Sequence, residues 1–231
     1  MGRLAVILGS SATGPAGEEV AAAAEQHASV VLQRHGSTEA YLLPHRIDHA
    51  ANLRSLTADG CERVLAICSV GSLRAGLAVG SFLCPHDFID LQTTITTFDD
   101  ARGHATPGFD SDWREQVLAA WQESGAGDLR EGGVYWQTNG PRFETAAEIR
   151  VIAAHADVVG MTLASECIVA GELGLRYAAV CVVDNLANGI AVEPLSPDEV
   201  ERHRAANAIH LRDALDAVLP LLTPTSDILK S

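Results

Sequence analysis

Short apolar runs rich in β-branched residues alternate along this chain with helical patterns, and that alternation confines it to an α/β fold on a parallel or mixed sheet flanked by helices. The strand-like runs are Leu4–Leu8, Val30–Gln33, Arg63–Cys68, Phe82–Phe88, Val134–Thr138, Asp157–Met161 and Arg176–Val183. Helical stretches cover Asp48–Ala58, Phe143–Ala154 and Ala164–Gly174. The last helix has the clearest start. Ser196 is its N-cap, Pro197 its first residue, and Glu199 completes a capping box. Val200, Ala208, Leu211, Leu215, Val218 and Leu222 then form an apolar stripe expected to lie on the sheet. Trp113 and Trp121, eight apart on a further helix, read as packing residues. No Pro/Ser-rich linker divides the 231 residues, so 1–231 reads as a single domain with a frayed tail over 223–231.

Charge narrows the partners. Sixteen basic residues stand against thirty acidic ones, a formal charge of −14, which repels nucleic acid and anionic membrane surfaces. No run approaches the length of a membrane span. The start, MGRLAVILGSS, has one arginine and an apolar run too short for a signal peptide, and Gly2 lacks the Ser/Thr a myristoylation motif wants. The five cysteines are scattered, without a C-x-x-C pair, and mostly sit in apolar runs, so they read as buried, reduced side chains of a cytoplasmic protein.

Three strand ends carry small or basic residues: Ser10-Ser11, Arg34-His35 and Ser69-Val70-Gly71. Ligands of open α/β sheets gather outside the carboxyl ends of strands. Glycine permits close approach, serine adds a hydroxyl, and arginine offers a planar fork matched to phosphate. Any one such turn can be an ordinary connection; three together point to an anion site.

The runs LQRHG, PHRIDHAANLRSL, RVLAICSVGSLRAGLAVG, HDFID, TNGPRFETAAEIR, ADVVGMT and ECIVAGELGLRYAAVCVV resemble, in order, the trimeric purine nucleoside phosphorylase and methylthioadenosine phosphorylase family. The resemblance spans Leu4 to Leu222. It implies a single-domain nucleoside phosphorylase fold with a mixed central sheet, a homotrimer, and attack of phosphate on C1′ of a purine nucleoside. Inorganic phosphate is then the co-substrate, and no metal or organic cofactor is implied. Carried over residue by residue, the resemblance gives Ser10, Arg34, His35, the Ser69 backbone amide and Thr162 to phosphate. Met161 would lie against the ribose and Phe143 against the base. His104 would cover the ribose 5′ end of a neighbouring subunit. Departures are a Gly9-Ser10-Ser11 turn in place of G-G-[ST]-G and Leu163-Ala164-Ser165-Glu166 in place of [VM]-P-E.

Base choice in the family rests on two positions, which here read Phe143-Glu144 and Asp184-Asn185. Glu144 and Asn185 together resemble the 6-oxopurine enzymes. A carboxylate can accept the N1 proton of hypoxanthine or guanine, whereas adenine presents a lone pair there; the Asn185 amide can donate to O6 or N7. Asp184 and Asn185 point to opposite sides of an extended chain, so only one faces the base. Asp184 in the pocket would restore a 6-aminopurine preference, that of a methylthioadenosine phosphorylase. At the ribose 5′ end, the family's hydroxyl-binding histidine falls on Pro197. Either the site takes 5′-methylthio nucleosides, as bacterial methylthioinosine phosphorylases do, or Pro197 is simply a helix start and the 5′ contact lies elsewhere. A third reading is a non-catalytic purine nucleoside-binding protein. His45 and His49 read as structural or rim residues, and Asp99-Asp100 and Asp110 to Asp112 as caps.

Overall fold

The computed structural model describes residues 2–36, 40–191 and 195–223. In chain order its strands are β1 (Arg3–Leu8), β2 (Val30–Gln33), β3 (Cys61–Ser72), β4 (Phe82–Cys84), β5 (Asp87–Ile89), β6 (Leu129–Glu131), β7 (Val134–Gln137), β8 (Val158–Gly160) and β9 (Arg176–Leu186). Its helices are α1 (Gly14–His27), α2 (His49–Ala58), α3 (Ser111–Ser124), α4 (Ala146–Ile152), α5 (Leu163–Glu172) and α6 (Pro197–Leu222). Among the described residues the nine strands form one sheet. It is mixed: β1, β2, β3 and β9 run parallel, while β8 meets β3 and β4 meets β9 antiparallel.

Side chains of the central strands alternate between two cores. Leu4, Val6, Leu65 and Ile67 pack with α1, α3 and α6; Ala5, Ile7, Val64 and Ala66 pack with α2 and α5. Both sheet faces are covered, which is why β1, β3 and β9 read as continuous apolar runs rather than alternating ones. Trp113 and Trp121 are buried in the first core, and the Trp113 indole N–H donates to the Val64 carbonyl at 2.8 Å. Helix α4 lies on a smaller cluster, where Ile149 and Ile152 meet Leu73, Val159 and Ala187. All five cysteines are free and buried.

The feature that positions the site is a fork along β3. On one edge β9 accompanies β3 from Arg63 to Ser72. On the other edge β1 covers Cys61 to Ile67, and β8 takes over only at Gly71. Cys68, Ser69 and Val70 lie between, paired with neither. The resulting gap opens at the carboxyl ends of β1 and β3. Opposite it, β9 carries a bulge: Val70 pairs with Val183 but Gly71 with Asn185, so Asp184 is the extra residue. Gly71 is needed there, since a Cβ would stand 3.1 Å from the Asn185 amide nitrogen and 3.3 Å from Val159.

Several expectations change. Ser69 to Ser72 is not a turn but the continuation of β3. The single run Phe82–Phe88 splits at Pro85-His86 into β4, which joins β9 and β6, and β5, which joins β7. Helix α4 begins at Ala146 because Thr145 caps it in a full capping box with Glu148. Ser196 precedes α6 without a side-chain cap bond, so the box expected with Glu199 does not form. Val200 leaves the apolar stripe, which is otherwise buried from Ala208 onward. Thr223 is buried against the last turn of α6, and 224–231 of the expected tail lie outside the described residues.

The bulge is held from α6. The fully buried Asp184 carboxylate accepts from the Ser69 hydroxyl and, at 2.8 Å, from the Asn207 amide, which also reaches the Val183 carbonyl at 3.2 Å. Burial pushes the Asp184 carboxyl above its ordinary range, and the two bonds only partly oppose this. Asn207→Leu keeps the side chain's size but removes one donor from a buried acid. It is expected to cost about 1–3 kcal/mol in urea unfolding; an unchanged midpoint would show that the clamp contributes nothing.

Candidate active site

Three strand ends meet at the fork and line one cavity. Ser10 follows β1, Arg34 and His35 follow β2, and Cys68 and Ser69 belong to β3. Thr162, the N-cap of α5, closes the group. Gly9 allows the approach, because a Cβ there would stand 2.8 Å from an Arg34 guanidinium nitrogen and 2.9 Å from the Ile67 carbonyl.

The Arg34 side chain is buried and held on three sides. Its Nε lies 2.6 Å from Glu166 Oε1 and its Nη2 donates to Oε2 at 3.1 Å. Its Nη1 donates to the Ile67 carbonyl at 3.0 Å and reaches the Thr162 hydroxyl at 3.4 Å. Glu166 is equally buried and also accepts the Tyr177 hydroxyl at 2.6 Å; His49 Nδ1 stands 3.7 Å away. Burial, the largest single effect, would lower the Arg34 pKa, but the Glu166 carboxylate together with Cys68, Tyr177 and Tyr135 outweighs it and the net shift is upward. Burial would likewise raise Glu166, and Arg34, His49 and Tyr177 together bring it below its ordinary value. Both groups are therefore charged.

The start of α5 is satisfied from within. The Tyr135 hydroxyl accepts from the N–H of Thr162 and Leu163, and the Gln137 side-chain oxygen accepts from Ala164 and Ser165. Those amides are occupied, so an anion in the cavity is left with side-chain donors and the backbone of β3. Ile67 turns its carbonyl toward Arg34 on the forked edge. With the period of two along a strand, the Ser69 N–H faces the same edge, where no strand takes it.

Phe143, Glu144, Asn185, Asn188 and Met161 line the same cavity. Glu144 accepts from the Thr138 hydroxyl at 2.6 Å, and its own carbonyl accepts from Asn188 at 3.2 Å. One Asn185 N–H goes to the Leu186 carbonyl at 2.9 Å, leaving the second free of protein partners. Asp184 is not among the lining residues. Of the residues picked from sequence, Ser10, Arg34, His35, Ser69, Phe143, Glu144, Met161, Thr162 and Asn185 all border this cavity. His104 does not; it sits exposed in the short turn Ala101–His104. Pro197 does not line it either, and α6 contributes Val200 and Arg204 instead.

Glu166, Tyr41 and Arg204 were not expected. Glu166 was visible as the acid after Met161-Thr162, but only contact shows that it holds Arg34. Tyr41 stacks on His35 with ring centroids 4.7 Å apart and planes 6° from parallel, at the edge of the undescribed residues 37–39. Val200 and Arg204, four apart on one helix, have no cue in local sequence. Among the described residues no group of three or more His, Cys, Asp or Glu could hold a metal ion, and no helix is long and apolar enough to cross a membrane.

A profile described as the Phosphorylase superfamily matches residues 12–220. The chain belongs to that superfamily. It is 42% identical over 178 residues, 77% of this chain and 73% of the relative, to a protein of Archaeoglobus fulgidus named "Probable 6-oxopurine nucleoside phosphorylase". It is 38% identical over 176 residues, 74% of this chain and 69% of the relative, to one of Methanocaldococcus jannaschii named "Probable S-methyl-5'-thioinosine phosphorylase". The fold matches that of a methylthioadenosine phosphorylase from Schistosoma mansoni solved with adenine, with a TM-score of 0.77 over 98% of this chain and 95% of the other, at 22% identity.

His35 gives the site a pH signature. Its Nδ1 lies 2.8 Å from the Leu42 carbonyl, and burial holds its pKa far below 6.5, at about 4. The Leu42 bond opposes the shift and the Arg34 charge adds to it. The unfolded chain binds this proton near 6.5 and the folded chain near 4, so stability is lost as pH falls through that window. The expected loss is roughly 3 kcal/mol at 1.4 kcal/mol per pKa unit. Urea unfolding at pH 6.5 and pH 4 should show a smaller loss in His35→Gln than in the parent; equal losses would refute it.

Proposed function

We propose that the chain catalyses phosphorolysis of a 6-oxopurine nucleoside, releasing the free base and a ribose 1-phosphate. The observation that carries this reading is the pairing of Glu144 and Asn185 at one end of a cavity whose other end presents Arg34, His35 and Thr162. Relatives named for 6-oxopurine nucleosides and for methylthioinosine support the same base class.

In this scheme phosphate occupies the fork, held by Arg34, His35, the Ser10 and Thr162 hydroxyls and the Ser69 N–H. One phosphate oxygen attacks C1′ as the bond from C1′ to purine N9 breaks, and the bonding electrons pass into the purine. Asn185, with an N–H to spare, meets the charge that develops at N7 or O6, and Glu144 accepts the N1 proton in a hydrogen bond. Met161 lies against the ribose and Phe143 against the base. No residue forms a bond to the sugar. Catalysis consists of orientation and stabilisation of the leaving base, and the scheme uses no metal or organic cofactor.

A 6-aminopurine preference would need Asp184 in the cavity, and its carboxylate is instead engaged by Ser69 and Asn207. Inosine with phosphate should yield hypoxanthine, and omitting phosphate should abolish it. Equal release without phosphate, or binding with no release, would overturn the reading, the latter leaving a nucleoside-binding protein. Asn185→Asp should shift the inosine-to-adenosine ratio of kcat/KM toward adenosine by tenfold or more; an unchanged ratio would remove Asn185 from base recognition.

The same reading extends to a cytoplasmic purine-salvage enzyme working as a homotrimer. Phe143, Leu91 and Val151 expose large apolar surface, and His104 is free to reach a neighbouring copy's site. Light scattering should give three times the 24.4 kDa chain mass; a monomer at assay concentration would refute the assembly.

A further inference from the structure

Six residues that line the cavity belong to neither the proposed phosphate group nor the proposed base group: Tyr41, stacked on His35, and Leu43, Pro44, Leu195, Val200 and Arg204. A nucleoside placed between phosphate and the Glu144–Asn185 pair has one remaining branch, the substituent on C5′, and these residues are what the cavity has left to meet it. Leu43, Pro44, Leu195 and Val200 are apolar. Tyr41 carries a hydroxyl, and Arg204, one helical turn after Val200 and so on the same face of α6, is the one charged residue among them.

The Arg204 guanidinium is only partly committed. Its Nη2 pairs with the exposed Glu201 carboxylate on the solvent side, whereas its Nε is buried with no hydrogen-bond partner. A buried N–H without an acceptor is costly, and the cost is relieved by a ligand that brings one. An oxygen at C5′ can serve. A thioether sulfur is a weak acceptor and leaves the donor unsatisfied.

Resting on the proposed phosphorolysis, we infer that Arg204 is a specificity-determining residue that reads the C5′ substituent. It favours nucleosides with an oxygen acceptor there, and an anionic one above a hydroxyl, over 5′-methylthio nucleosides. The choice left open by Pro197 thus falls nearly two turns further along α6.

The test compares kcat/KM for inosine and 5′-methylthioinosine in the parent, Arg204→Leu and Arg204→Lys, with inosine 5′-monophosphate as a competing anion. The parent should prefer inosine and be inhibited by the monophosphate. Arg204→Leu should move the ratio at least tenfold toward methylthioinosine and relieve the inhibition, with the KM for phosphate unchanged. Arg204→Lys, which keeps the charge, should fall between the two. A parent that prefers methylthioinosine, or a ratio unmoved by Arg204→Leu, overturns the inference. So does a raised phosphate KM with the nucleoside ratio intact, which would make Arg204 a phosphate ligand. Failure of the parent to cleave either nucleoside would instead refute the phosphorolysis itself.

Discussion

The buried pair of Arg34 and Glu166 is the contact on which the rest of the site depends. Two charges removed from water are tolerated only when their geometry is good and their remaining donors and acceptors are met. Here Ile67, Thr162 and Tyr177 meet them. The pair ties the end of β2 to α5 across the mouth of the fork, and through Thr162 it fixes one wall of the cavity. A guanidinium held in this way cannot swing out to solvent. It offers the cavity a fixed positive edge while most of its charge is already balanced, which makes the proposed phosphate site compatible with a chain carrying −14.

The same economy governs the other end. Asp184 and Asn185 are adjacent, and a strand of regular period presents one of them to each side. The β9 bulge decides which. Ser69 and Asn207 bind the extra residue, Asp184, into the protein, and Asn185 is thereby presented to the cavity. Asn207 belongs to α6, the helix that also supplies Val200 and Arg204 to the cavity, so the placement of Asn185 and of these two residues is referenced to one element.

How much of this was legible in sequence follows from the range of the interactions. Central strands were plain because burial on both faces makes β1, β3 and β9 continuous apolar runs. The turn residues at their ends pointed to the cavity, and nine of the ten residues picked from the chain border it. What failed was local grammar overridden by contact. Ser69 to Ser72 has the composition of a turn, yet pairing with β9 and β8 keeps it extended. Ser196 has the signature of a capping box that does not close, while the signature at Thr145, with Glu148 three residues on, went unread although it sets the start of α4. Glu166 and Arg204 lie far along the chain from the groups they face, and no spacing rule reaches across the fold.

The gap beside Cys68, Ser69 and Val70 has one more consequence. A strand edge left open inside a protein is ordinarily a defect, a row of backbone groups wanting a neighbour. Here β9 is fastened along the other edge. In the proposed scheme the phosphate would take the place of the absent strand, and the sheet would be completed by its ligand rather than by the chain.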